Sequence, residues 1–234
     1  MIFNNVGIID DSLGGVFIIN SIENCCSENF IMISDNKNFP YSLRRSQIKN
    51  LSINLQEAIE KKFIKLLIVT NPAIALNLNY NVDYEIINGL EKSFNIIKEN
   101  KDITVLSNKY VKEYLEEKGY KNIIDGQILI NSLNMGDSND YIVSKLMEEY
   151  LGDSKSLFIL DSNLSILKGK FLELYPEIKF YFLSDIILEE LQGKLKSGEG
   201  GKSSYYVTDY RIAFYTACED LFKRSYIRTR KIKI

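Results

Sequence analysis

Short apolar runs rich in β-branched residues recur along the chain, at Val6–Ile9, Phe30–Ser34, Leu66–Thr70, Ile103–Leu106, Leu157–Leu160, Phe180–Leu183 and Tyr205–Thr208. Runs of this length and composition predict strands buried on both faces. Between them, Ser42–Lys62, Lys109–Lys118, Tyr141–Tyr150, Leu164–Leu174, Asp185–Lys196 and Asp209–Phe222 repeat apolar residues at three- and four-residue intervals with charges opposite, the pattern of amphipathic helices. Strand and helix in alternation predict an α/β fold with mainly parallel sheets covered by helices. In such folds the loops after the strand C-termini form the ligand crevice. Four loops therefore hold the candidate chemistry: Ile9–Gly15, Asp35–Ser42, Val69–Ala73 and Leu160–Asn163.

Composition narrows what that chemistry can be. The chain has 234 residues, 45% hydrophobic and 26% charged, with 13 glycines and three prolines. That excludes a disordered chain, a collagen-like repeat and a small disulfide scaffold, and allows one large domain or two small ones. With 29 Lys+Arg against 31 Asp+Glu, the net charge of −2 supplies no field to recruit nucleic acid or an anionic membrane. No basic segment opens the chain, and no apolar run approaches the ~18 residues of a membrane span, so neither export nor anchorage is expected and a cytoplasmic location is the default. Cys25, Cys26 and Cys218 form neither a disulfide framework nor a metal-binding spacing. The absence of histidine removes Ser-His-Asp and Cys-His catalysis together with the commonest zinc ligand, so no metal site is expected. Gly198–Ser203 has the flavour of a phosphate loop, but Lys196 stands where its first glycine belongs, and a turn is the simpler reading. The basic residues Lys223, Arg224, Arg228, Arg230, Lys231 and Lys233 read as a solvated terminal segment, with an acidic partner as the alternative.

Taken in order, the four loops resemble those of the glutamate racemase family, in the aspartate/glutamate racemase superfamily, over nearly the whole chain. Gly7–Gly15 fits the family's G-I-F-D-S-G-x-G-G, and Asp35–Ser42 fits D-x-x-x-F-P-Y-G through Phe39, Pro40 and Tyr41. Val69–Leu76 is similar to the A-C-N-T-A-S-A-x-A-L segment, keeping Asn71, Ala73 and Leu76, and Leu160–Leu167 is similar to L-G-C-T-H-Y-P-L-L. Tyr205–Phe222 resembles the family's terminal strand and helix. The resemblance implies two similar α/β domains facing each other across a cleft, the first formed by residues 1–92 with 205–234 and the second by 93–204. It also implies a small amino-acid-like ligand in the cleft, no cofactor, and a homodimer.

The departures fall on the chemistry. Racemases of this family invert Cα with two cysteines, one on each face, and here the matching positions are Thr70 and Asp161. Of the family's ligand-holding positions, Asp10, Tyr41, Asn71 and, conservatively, Ser162 remain, while Asp11, Ser42, Pro72 and Asn163 are replacements. Asp11 and Asp161 add negative charge where an acidic substrate's carboxylates would sit. At an effective dielectric of ~20, like charges ~4 Å apart repel by about 4 kcal/mol, so free glutamate should be disfavoured. The expected role is a catalytically degenerate racemase homologue that binds or regulates. The alternative is a racemase, isomerase or decarboxylase of altered chemistry using Asp161 or Asp10 as a carboxylate base; a third is a structural subunit of an active racemase.

Local structure offers competing roles for the same residues. Ser12 and Asp161 can cap helix starts, and Pro72 suits the first turn of a short helix. Gly14 and Gly15 permit a helix to pack closely on a strand. The Tyr41 hydroxyl is expected to face the crevice.

Overall fold

The computed structural model describes residues 4–137, 139–222 and 227–234. Its strands form two sheets. β1 (Asn5–Asp10), β2 (Asn29–Ser34), β3 (Ile64–Val69) and β4 (Glu85–Ile87) open the first sheet; β5 (Thr104–Ser107), β6 (Ile123–Asp125), β7 (Ser156–Leu160) and β8 (Lys179–Phe182) make the second; β9 (Lys202–Val207) and β10 (Thr229–Lys231) return to the first. The orders are β10-β9-β2-β1-β3-β4 and β6-β5-β7-β8, with every pairing parallel.

The helices are α1 (Gly14–Ile22), α2 (Ile48–Glu60), α3 (Pro72–Ala75), α4 (Leu90–Glu99), α5 (Lys109–Glu117), α6 (Gln127–Asn134), α7 (Asp140–Leu151), α8 (Lys168–Leu174), α9 (Leu183–Glu190) and α10 (Ile212–Phe222). Burial explains why the central strands read so clearly. Val6, Ile8, Ile9, Leu67 and Ile68 on β1 and β3 are all but inaccessible, as are Leu157, Phe158, Ile159 and Leu160 on β7. One apolar cluster runs from β1 and β3 through Val105 and Phe158 of the second sheet, so the two units pack against each other through a shared core. Gly15 lets α1 sit on the first sheet: a Cβ there would lie 2.7 Å from Met32 Cε and 3.1 Å from Ile8 Cγ2.

In both sheets the chain reverses direction beside a central strand. It leaves β1 for β2 on one side and places β3 on the other, then leaves β5 for β6 on one side and places β7 on the other. The crevice outside such a reversal is where open α/β sheets bind ligands. The four candidate loops follow β1, β2, β3 and β7.

Several expected elements are corrected. β4, β6 and β10 were not read in the sequence; each has three residues and lies at a sheet edge, where one-sided pairing needs no continuous apolar run. The terminal basic segment is accordingly not wholly a free tail: Thr229–Lys231 pairs with Tyr205–Val207, its Arg230 and Lys231 side chains remain solvated, and Lys223 and Arg224 lie outside the described residues. The helix expected over 42–62 is shorter, because Tyr41–Leu43 forms a 3-10 turn and α2 begins only at Ile48. The stretch 164–174 splits likewise into a 3-10 turn at Leu164–Leu167 followed by α8. The last expected strand, 205–208, begins earlier, because Lys202 and Ser203 of the glycine-rich turn already pair in β9.

Candidate functional site

Three carboxylates meet where the two strand reversals face each other, and each is held by donors from neighbouring strand ends. Asp10 ends β1: its Oδ1 accepts from the Ser12 amide at 2.5 Å and its Oδ2 from the Thr70 hydroxyl just past β3. Asp11 accepts the Tyr41 amide at 2.8 Å on Oδ2 and the Asn71 side-chain amide at 2.7 Å on Oδ1. Asp161, just past β7, accepts Asn108 Nδ2 at 2.9 Å on Oδ2, and the Asn163 backbone and side-chain amides at 3.0 and 2.9 Å on Oδ1. All of these residues are at most 3% exposed, Tyr41 included.

The arrangement repeats in the two units. Asn71 caps α3, accepting from the Ala73 and Ile74 amides at 2.8 and 3.3 Å, while its Nδ2 serves Asp11. Asn108 caps α5, accepting from the Val111 amide at 3.1 Å, while its Nδ2 serves Asp161. A helix-capping asparagine thus fixes one carboxylate in each unit. Pro72 stands in the first turn of α3, as expected, where its missing donor leaves nothing unsatisfied.

Asn163 ties the units together. Its Oδ1 accepts from both the Leu13 and Gly14 amides at 3.0 Å, so the free amides at the start of α1 are taken by a side chain from the other sheet. This corrects the capping expected of Ser12, whose Oγ has no hydrogen-bond partner. Asp161 likewise does not cap a helix; it accepts the amide two residues on and closes a local turn ahead of Leu164. A second cross-link joins the Ser42 hydroxyl to Gln127 Oε1 at the start of α6.

Electrostatics follow from burial. Removal from water pushes Asp10 up to about 7, against the lowering effect of the Thr70 and Ser12 hydrogen bonds, and the Asp161 charge pushes it further. Asp11 is raised well above the carboxylate range by burial and then by the charge on Asp10. Asp161 is raised by burial, opposed by its hydrogen bonds from Asn108 and Asn163. Burial thus shifts all three carboxyl groups toward the protonated form, with Asp10 and Asp11 pushed further by the neighbouring carboxylates.

Of the ten candidate residues, Asp10, Asp11, Thr70, Asn71, Asp161 and Asn163 form this buried constellation. Ser162 lies beside it with an unpartnered Oγ, and its Cβ is 3.0 Å from where a Gly14 Cβ would stand. Ser42 and Pro72 flank it through the contacts above. Tyr41 is the correction: its hydroxyl donates to Asp35 Oδ2 at 2.5 Å, inside the first unit, and only its amide reaches the constellation. Sequence reading missed Asn108 and Gln127. Asn108 carries the ordinary cap signature, an asparagine between a strand and a charged amphipathic helix; Gln127 carries no local signal. No three His, Cys, Asp or Glu side chains converge as a metal site among the described residues.

The cysteines stand elsewhere. Cys25 and Cys26 precede β2, at the strand end away from Asp10. Cys218 is buried in α10, and burial pushes its thiol up to about 12.

The whole path of the backbone has counterparts among solved structures. Glutamate racemase from Thermus thermophilus, in complex with β-chloro-D-alanine, superimposes with a TM-score of 0.84 at 13% identity, over 99% of this chain and 98% of that one. This is the glutamate racemase fold. Glutamate racemase from Francisella tularensis, in complex with D-glutamate, gives 0.77 at 15% identity, again over 99% and 98%. Picrophilus torridus aspartate racemase gives 0.54 at 14% identity over 82% of this chain and 96% of that one. No family model and no curated protein matches the sequence. The two parallel α/β units of the racemase fold are thus kept at sequence identities too low to carry residue roles across.

Proposed function

We propose that this chain is a divergent member of the aspartate/glutamate racemase superfamily that keeps the two-unit scaffold and its cleft, has lost two-thiol racemisation, and acts by binding a small ligand in a regulatory role. The observation that carries this is the identity of the two groups at the facing strand ends, Thr70 and Asp161. Inversion at Cα needs one group to take a proton from one face while a second delivers one to the other. Thr70 is a poor acid and a poor base, and its hydroxyl is committed to Asp10. Asp161 is engaged by three donors from Asn108 and Asn163. A dianionic substrate would also enter beside three buried carboxyl groups, where the Asp161 charge already acts on both Asp10 and Asp11.

A second reading draws on Asp10. A carboxyl group raised to about 7 exchanges its proton readily near neutrality, which suits a single acid/base residue in an isomerase or decarboxylase of altered chemistry. One experiment separates the two. The protein is incubated with L- and D-glutamate and L- and D-aspartate in D₂O, and the Cα proton is followed by NMR beside an authentic racemase. No exchange is expected while the control exchanges. Exchange above background that disappears in Asp10→Asn overturns the binding role and establishes the second reading.

A further inference from the structure

A cavity of about 260 Å³ opens beside the carboxylate constellation, between the first unit, α6 and the residues that start α10. Its walls include Phe39, Met135 and Phe214, and its polar groups include Ser12, Asn131 and Arg211. We infer that this cavity binds a small monocarboxylate with an apolar body; the inference rests on the reading of the cleft as a binding site rather than a catalytic one.

Ser12 supplies the first argument. It is 1% exposed, its Oγ has no hydrogen-bond partner, and it lines the cavity. A buried hydroxyl without a partner carries a desolvation cost that a ligand acceptor relieves. Arg211 supplies the second. Its Nη2 donates to the Lys37 carbonyl at 3.0 Å and its Nε lies 3.8 Å from Asp209 Oδ2, a carboxylate that also takes Lys231 at 3.2 Å. Nη1 is left without a hydrogen bond among the described residues, and Arg211 is the one ionic residue in the cavity lining. The remaining amide groups favour an acceptor as ligand: Asn131 Oδ1 already accepts from Gln127 Nε2 at 2.9 Å, and Asn36 Oδ1 already accepts from the Asp209 amide at 3.0 Å. Asn134 Oδ1 and the Ser12 hydroxyl are neutral acceptors, and no carboxylate stands among the lining residues to hold an ammonium group.

The apolar walls set the rest of the ligand. Met135 is 74% exposed at the mouth, so an apolar body resting there removes from water a surface the free protein leaves open. The volume lies below the ~300–1,000 Å³ usual for drug-sized ligands, which limits the occupant to a single ring or a short branched chain. An amino acid fits poorly: its carboxylate would meet Arg211, but its ammonium would find no carboxylate, since neither Asp nor Glu lines the cavity.

The test titrates the full chain with phenylacetate, and separately with phenethylamine and L-glutamate, by calorimetry and saturation-transfer NMR. Saturable phenylacetate binding is expected, with no saturation by the amine. Arg211→Gln should weaken phenylacetate by about tenfold or more, the loss of one charge-assisted hydrogen bond. Ser12→Ala should weaken it too while leaving thermal stability unchanged or raised, because the hydroxyl it removes is unpaired. Met135→Glu, at an exposed site that tolerates substitution, should weaken binding, by removing apolar contact and adding a like charge that is partly screened by solvent. Absence of saturation at millimolar phenylacetate, equal binding of phenethylamine, or unchanged affinity in folded Arg211→Gln and Met135→Glu overturns the inference. Cα–H exchange does not report on this cavity, so exchange would overturn the proposed function while leaving a positive phenylacetate result standing.

Discussion

Replacing Asp10 by asparagine should make the protein more stable, and increasingly so as the pH rises. Burial raises the Asp10 carboxyl from an ordinary 3.8 to about 7. A folded state that holds a proton more tightly than the unfolded chain gains stability that is fully present below the unfolded value near 3.8 and is lost as pH rises through 7. Three pH units at ~1.4 kcal/mol each amount to about 4 kcal/mol across the whole range, and about 3 kcal/mol between pH 5 and pH 8. The amide can keep the contacts: its oxygen accepts from the Ser12 amide, its nitrogen donates to Thr70 Oγ1, and the threonine proton turns to the Ile9 carbonyl, now 3.4 Å away. Urea unfolding of both proteins at pH 5 and pH 8 measures the difference. Asp11 and Asp161 are raised in the same direction, so the variant will itself lose some stability with pH; the quantity to read is the gap between the two proteins. A gap that stays constant between the two pH values, or a variant less stable than wild type at pH 8, would refute the assignment of a buried, proton-holding Asp10.

Two further stability measurements probe the junction between the units. Asn163→Ala leaves the Leu13 and Gly14 amides without their acceptor in a buried place, and urea unfolding should show a loss of roughly 2–5 kcal/mol; a loss below ~1 kcal/mol would mean that solvent replaces the side chain. Gly14→Ala places a Cβ 2.8 Å from Asp10 Oδ2 and 3.0 Å from Ser162 Cβ, one contact in each unit, and should cost about 1–3 kcal/mol by the same assay, with an unchanged value showing that the units separate at little cost.

The hydrophobic pattern alone determined the α/β class, the parallel sheets and the central strands β1, β2, β3, β5 and β7, because a strand covered on both faces must be a continuous apolar run. The loops that follow β1, β3 and β7 were legible for the same reason: once those strands are placed, Asp10, Thr70 and Asp161 stand at their ends. The short α3 was readable too, since Pro72 after Asn71 is a local start signal. Edge strands escaped, as did the exact starts of α2 and α8, because one-sided pairing and 3-10 turns impose weak constraints on sequence.

What only the tertiary structure decided is which group each polar side chain meets. Nothing near Asn163 in the chain shows that its acceptor serves amides 149 and 150 residues away, nor does anything near Ser12 show that this bond leaves its hydroxyl unpaired. Tyr41 turned its hydroxyl to Asp35, a choice set by the buried shape of the Asp35–Ser42 loop rather than by the Phe-Pro-Tyr motif. The upward shift of the three carboxyl groups is likewise a property of the assembled core, since it depends on how far each is removed from water and, for Asp10 and Asp11, on how near the other carboxylates lie. Secondary structure follows from short-range periodicity that a sequence displays; hydrogen-bond partners and charge states follow from long-range packing, which brings together residues whose spacing along the chain carries no signal.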